Sequence, residues 1–340
     1  MQIVRKPVLC NYYITYRCNA RCGFCDIWQQ PSPYADVARA RRNLEDLRTL
    51  GVKVIDFTGG EPLLHRQLPE LLTIAKQLGF ITTITTNALL YPKRAAQLAG
   101  LVDMLHFSLD AWEADLHNEM RGVNCYDSVL RSIEIALELG ERPDILFTVF
   151  DRNFNQIKPV YERISYPNNL VLILNPAFDY SEVETGKPLT ASQLNELQDW
   201  GKKPLVYLNK AFLQLIKDGG NRPERPVCRA GSATVVISPH NELIAPCYHL
   251  GVQKLPLRDN LLQVYHSAAA QRARAAAGRL EACRGCTINC YMQPSFAVNV
   301  NKYFWQALPS TLKYNRMKGT WKQLFGLTAK GSRPGATIDK

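Results

Sequence analysis

Cys18, Cys22 and Cys25 form a C-x3-C-x2-C array directly after the apolar run 9–16. Three thiolates on one short loop can ligate three irons of a four-iron cluster and leave the fourth iron as an open coordination position, where chemistry can occur. The same residues suit a zinc knuckle or a set of buried thiols, so the triplet needs support from the rest of the chain. Five further cysteines, Cys228, Cys247, Cys283, Cys286 and Cys290, fall close together in the last third. They include a C-x2-C pair, which suits iron or zinc alike.

The elements that must position these residues read as an alternation. Apolar, β-branched runs at 9–16, 54–58, 81–86, 104–109, 145–150 and 170–175 predict strands. Helical periodicity predicts helices near 35–50, 67–78, 92–99, 127–139 and 155–165 between them. Six strands alternating with helices predict a parallel sheet. Polar groups recur where the strands end, which is where open α/β sheets and barrels bind ligands. They are Gly59-Gly60-Glu61-Pro62, then Thr86-Asn87, then Ser108-Leu109-Asp110, followed by His117 and Arg121-Gly122. Each has a plainer reading as well. Ser108 and Asp110 could cap a helix, Glu61 could sit in a helix's first turn, and Arg121 could form a surface ion pair.

The ordered set of C-x3-C-x-Φ-C (Phe24 as Φ), G-G-E-P, T-T-N, S-L-D and R-G resembles the radical S-adenosylmethionine (SAM) enzymes over residues 8–175. The resemblance implies a (β/α)6 partial TIM-like barrel. It implies that Cys18, Cys22 and Cys25 hold a [4Fe–4S] cluster whose open iron takes the SAM amino and carboxylate groups. Gly59, Gly60 and Glu61 would line the amino group, and Thr86, Asn87, Ser108 and Asp110 the ribose or methionine part. Arg121 would lie near the carboxylate and Phe24 near the adenine. The implied activity is reductive cleavage of SAM to a 5′-deoxyadenosyl radical that takes hydrogen from an unactivated carbon.

The second cysteine set is similar to the twitch extension, a shorter relative of the SPASM domain. Cys228 precedes a strand-like run, 239–242 reads as a hairpin turn, and Cys247 follows the returning strand. A helix is expected over 261–277 before Cys283 and Cys286. A hairpin, a helix and a C-x2-C make too small a core alone, and a metal group would hold them together. The resemblance implies a second, auxiliary [4Fe–4S] cluster on Cys228, Cys247, Cys283 and Cys286, with Cys290 as the alternative fourth ligand. Asn241 stands where that pattern usually has glycine, and asparagine tolerates the left-handed backbone. Cys10 and Cys125 read as small buried hydrophobes.

The expected organisation is therefore a radical SAM barrel over 1–215, a small hairpin–helix cluster domain over 216–300 and a basic tail over 301–340. That tail carries eight Lys/Arg and one acidic residue, seven of the eleven net positive charges. Its basic residues interleave with aromatics, and Met317, Trp321, Leu324 and Phe325 would share a helical face. Such a helix can lie on an anionic membrane or dock on the barrel. Nucleic acid is not an expected partner, because the charge sits in one tail rather than along a folded groove. No signal peptide or long apolar span is present, and ligand-like cysteines call for a reducing cytoplasm, with a peripheral membrane position through the tail.

The expected partners are a reductant such as ferredoxin or flavodoxin and a small-molecule or lipid-like substrate. A ribosomal peptide or protein side chain is the alternative, weighed down by the short stretch before strand one. An iron–sulfur scaffold or electron carrier is the non-enzyme alternative, and it leaves the G-G-E-P, T-T-N and S-L-D elements unexplained. Asp179, Tyr180, His240 and His249 lie near the domain junction, but no residue is assigned as the catalytic acid or base.

Overall fold

The computed structural model describes residues 6–178, 187–258 and 260–320. Ten strands form one sheet. They are β1 (Leu9–Thr15), β2 (Val54–Gly59), β3 (Ile81–Thr86), β4 (Met104–Ser108), β5 (Asp144–Val149), β6 (Leu172–Pro176), β7 (Val206–Tyr207), β8 (Thr234–Ile237), β9 (Glu242–Ala245) and β10 (Gln253–Pro256). The strand order is β10-β9-β8-β1-β2-β3-β4-β5-β6-β7, with β1 to β7 parallel to one another. Among the described residues the sheet does not close on itself. This is the partial-barrel architecture that the alternation of strands and helices predicts.

The strands have one apolar face under the helices. Tyr12, Ile14, Ile55, Phe57, Ile84, Phe107, Ile145 and Phe147 pack there against Leu44, Leu47, Leu72, Val129 and Ile133. A second core on the other side joins Tyr13 and Tyr16 to Phe212, Cys228, Cys247, Tyr291, Met292 and Phe296. Strand β8 pairs in parallel with β1, so the cysteine-bearing hairpin extends the barrel sheet and no break in the sheet falls at residue 216. Asn43 fastens this junction by donating to Tyr12 Oη (2.9 Å) and to Asn241 Oδ1 (2.8 Å). Asn241 turns the hairpin with φ +60°, the left-handed conformation expected of it.

Two segments expected as helices, 205–218 and 261–277, differ from those bounds. The apolar run near 205 begins as strand β7, pairing with β6. The helix starts only at Lys210, where Asn209 caps the amides of Ala211 and Phe212. The helix expected over 261–277 is cut at Ser267, whose hydroxyl starts a new helix by accepting from Ala270 N.

The tail docks on the barrel over its described length, the second of the two placements open to it. The helix Lys302–Lys318 is held by Lys302 and Tyr303 on Asp218 (2.6 and 2.7 Å) and by Lys313 on the carbonyls of Lys203 and Val206 (3.0 Å each). Tyr314 and Lys318 reach Asp144 (2.6 and 3.0 Å). The lysines meant for a headgroup layer thus have protein partners. Trp321, Lys322, Leu324 and Phe325 lie outside the described residues, as do Asp179 and Tyr180. Among the described residues no helix is long and apolar enough to cross a membrane.

Candidate functional site: two cysteine constellations at one barrel mouth

The first constellation is a loop bracketed by backbone on both sides. Gly60 N donates to Thr15 O (2.9 Å) and Glu61 N to Arg17 O (2.8 Å), tying G-G-E-P to the start of the cysteine loop. Arg21 N donates to Arg121 O (3.1 Å) and Gly23 N to Met120 O (3.3 Å), tying the other flank to the R-G helix end. These approaches explain the glycines. A Cβ on Gly60 would stand 2.2 Å from Arg17 O, and one on Gly122 would stand 2.2 Å from Arg21 O.

Donors converge on the sulfurs. Ala20 N lies 3.4 Å from Cys18 Sγ, and Asn87 Nδ2 lies 3.9 Å from the same atom. Arg121 Nη1 lies 3.9 Å from Cys22 Sγ. Burial pushes the Cys18 thiol up to about 12, so the metal-free loop holds its proton until a cation displaces it.

Several strand-end residues work within the protein. Glu61 Oε1 accepts from Leu63 N (2.9 Å) and Thr86 Oγ1 (2.7 Å), and Oε2 from Asn87 N (2.9 Å). Burial pushes its carboxyl up to about 7, against the pull of these donors and of Arg121. Asn87 Nδ2 donates to Asn19 Oδ1 (2.8 Å), pinning the cysteine loop. Asp110 accepts from Thr148 N (2.8 Å) and pairs with Arg121 Nη2 (2.5 Å). The Arg121 guanidinium lies 5.3 Å from the Phe24 ring, which also meets Phe150 at 5.1 Å. Ser108 is buried at the end of β4.

His117 Nδ1 accepts from Asp110 N (3.2 Å), and Nε2 faces Cys125 Sγ (3.3 Å). Burial, then the Arg121 charge, brings His117 down to about 4, so it is neutral. With Nδ1 accepting, Nε2 carries the proton and donates to sulfur. Cys125, read as a bare hydrophobe, therefore has a polar partner.

The second constellation rings a cavity of about 380 Å³. Cys228, Cys247, Cys283 and Cys286 line it with Tyr291 and Met292, and Cys290 is not among the lining residues. Ala230 N lies 3.5 Å from Cys228 Sγ. Burial pushes Cys228 up to about 12 and Cys247 up to about 11. The two constellations meet through aromatics. Tyr13 stacks on Tyr248 (4.8 Å, 13°), whose hydroxyl accepts from Gln30 of the first loop (2.6 Å) and whose amide donates to Tyr291 Oη (2.9 Å).

The sequence pattern of the Radical SAM superfamily matches residues 12–164. A probable GTP 3′,8-cyclase of Sulfolobus acidocaldarius is 30% identical over 229 residues, covering 61% of this chain and 72% of that protein. The chain belongs to the radical SAM superfamily. The cofactors expected of it are the family's [4Fe–4S] cluster and SAM. The GTP 3′,8-cyclase of Chlorobaculum tepidum is 30% identical over 193 residues, covering 54% of this chain and 58% of the relative. The chain spans about half the length of the curated relatives it matches first. Streptococcus suis SuiB bound to precursor peptide SuiA has the same fold, with TM-score 0.67 and 20% identity, covering 84% of this chain and 72% of that one.

The residues present suit these cofactors. Both constellations offer thiols with donors to sulfur, the environment that stabilises thiolate ligands and tunes a cluster. Among the described residues no three His, Cys, Asp or Glu side chains gather tightly enough for a single metal ion. Four thiols around a cavity suit a larger group.

Sequence reasoning missed two features. The helix Asn289–Val298 covers the inner face of the barrel, hidden by an internal Pro294 and weak periodicity. Asp56 sits on that inner face; the signal was a carboxylate inside the apolar run Val54-Ile55-Asp56-Phe57.

Proposed function

We propose that this radical SAM enzyme abstracts hydrogen from an unactivated carbon of a small-molecule intermediate, and that an auxiliary [4Fe–4S] cluster would assist by accepting an electron from the substrate or by holding part of it. Residues 1–215 form the SAM-cleaving barrel and residues 216–300 the auxiliary-cluster unit. Cys18, Cys22 and Cys25 hold the first cluster, and Cys228, Cys247, Cys283 and Cys286 the second. The observation that carries this reading is the four-thiol ring around its own cavity, joined to the first loop by the Tyr13–Tyr248 stack.

When bound, the first cluster and SAM supply a reductively generated 5′-deoxyadenosyl radical. The chain's own residues position and shield. Glu61, Thr86 and Asn87 lock the G-G-E-P loop to the cysteine loop, Gly59 and Gly60 open backbone to SAM, and Phe24 and Arg121 wall the site. Ser108 faces SAM from the end of β4. Closing the mouth keeps water from a reactive intermediate.

The lipid-like reading loses the support of the described part of the tail, whose lysines are engaged by the barrel. The test is iron and sulfide per chain after anaerobic reconstitution, EPR of the reduced protein with and without SAM, and 5′-deoxyadenosine release. About eight irons and one signal shifted by SAM are expected. GTP and a peptide are run beside small molecules; turnover of either would replace the small-molecule substrate. About four irons would remove the auxiliary cluster.

A further inference from the structure

Part of the barrel's inner face, beside the apolar cluster around Tyr13, is polar where folding alone would make it apolar. Strands of a covered parallel sheet ordinarily read apolar on both faces. Here Asn11, Asp56 and Thr83 stand side by side in register, opposite in direction to the apolar Ile55 and Phe57. Further along the same face, Thr85, His106 and Asp144 are also in register.

Part of this polarity is accounted for. His106 contacts Thr85 Oγ1 (3.1 Å) and Tyr314 Oη (3.2 Å), and Asp144 is held by Tyr314 and Lys318. Asp56 has no such account. Its Oδ1 is buried with no hydrogen-bond partner among the described residues. A buried carboxylate oxygen that nothing donates to destabilises a fold.

The helix Asn289–Val298 starts over the same inner face, with Asn289 on Asn175 of β6 and Tyr291 packed in one cluster with Tyr13 of β1. There Asn289 presents a second buried acceptor, Oδ1, without a partner, while its Nδ2 is spent on Asn175. Burial raises Asp56 to about 6, offset in part by His106, so it remains mostly ionised at neutral pH.

We propose that Asp56 anchors the substrate: its carboxylate accepts hydrogen bonds from an ammonium or amide nitrogen, with Asn289 Oδ1 as the second acceptor. The proposal rests on the reading above that the barrel interior holds the substrate. Both orphaned atoms are acceptors, so the missing group is a donor. A substrate carboxylate would meet repulsion at the same place.

The test uses the reconstituted full chain with SAM bound and radiolabelled n-butylammonium, n-butanol and butyrate in equilibrium dialysis. The wild type binds the ammonium about tenfold or more above the other two, the size of a charge-assisted hydrogen bond. Asp56→Asn abolishes that preference, leaves SAM binding unchanged, and melts at or above the wild-type temperature because the half-buried carboxylate with an unpaired oxygen is replaced by a neutral amide. The proposal is overturned if no probe binds, if butyrate binds best, if Asp56→Asn keeps the preference, or if Asp56→Asn melts markedly lower. Failure of both proteins to release 5′-deoxyadenosine would count against the proposed function, and dialysis reads the anchor independently of it.

Discussion

The Arg121 guanidinium lies 2.5 Å from Oδ2 of Asp110, and both side chains are sealed from solvent. Its other terminal nitrogen points at Cys22 Sγ, 3.9 Å away. One planar fork thus neutralises a buried carboxylate and donates toward a cluster ligand. Arg121→Ala leaves Asp110 buried and unpaired, and it is expected to cost about 3–5 kcal/mol. Arg121→Lys can serve Asp110 but cannot span both partners. It should fold, load iron and show an altered EPR signal from the first cluster. Urea denaturation and EPR of both variants check this, and an unchanged signal in Arg121→Lys would sink the bridging role.

Gly122 is the point at which the R-G motif touches the cysteine loop. It has φ +62°, and a Cβ there would lie 2.2 Å from Arg21 O, which is backbone and cannot swing away. Gly122→Ala should displace the loop that carries Cys18, Cys22 and Cys25 while leaving the sheet intact. Iron after reconstitution is expected to fall by about half, with an unchanged far-ultraviolet circular dichroism spectrum. Full iron loading would show that the loop tolerates the displacement.

Gly122 also shows what kind of information the sequence holds. The alternation of strands and helices was legible because it is local: β3 (Ile81–Thr86) falls on the run 81–86, and β4 (Met104–Ser108) ends one residue short of the run 104–109. The cysteine loop and its glycines were legible as motifs. The partners were not. That Glu61 is consumed by Leu63, Thr86 and Asn87, or that Arg121 pairs with Asp110, depends on the register between strand ends. Asn209 moved a helix start and Ser267 split a helix, because a single cap outweighs a run of helix-favouring residues. The parallel pairing of β8 with β1 joins residues more than 200 positions apart, and no periodicity encodes it.

Asp144 gives the described tail a pH-dependent attachment. Burial alone would raise its carboxyl, but His106, Lys318 and Tyr314 outweigh that and hold it below the ordinary range. A depressed carboxylate contributes stability that is fully present above its unfolded value, near 3.9, and is lost as pH falls through the lower folded value. Stability should therefore be flat in this respect from pH 5 to 8 and drop below about pH 4. Asp144→Asn should lose about 3 kcal/mol at pH 7 and flatten the acid limb. Urea midpoints across that range measure it; an Asp144→Asn protein as stable as wild type at pH 7 would mean that the helix Lys302–Lys318 docks through its apolar contacts alone.

Cys286 and Cys290 separate two ways of completing the auxiliary site. Cys286 lines the 380 Å³ cavity with Cys228, Cys247 and Cys283, whereas Cys290 is not among the lining residues and is packed with Tyr13 and Tyr291. Burial raises the Cys290 thiol as it raises Cys286, so the direction each side chain faces decides between them. A ligand must be deprotonated and must face the group it binds. Cys286→Ala is expected to lower iron from about eight to about four per chain, while Cys290→Ala keeps about eight. Removing a buried thiol from an apolar contact should cost Cys290→Ala only about 1 kcal/mol. The reverse pattern, with iron lost on substituting Cys290 and retained on substituting Cys286, would assign the fourth ligand to the helix start and require the Cys283–Cys286 turn to serve only as its support.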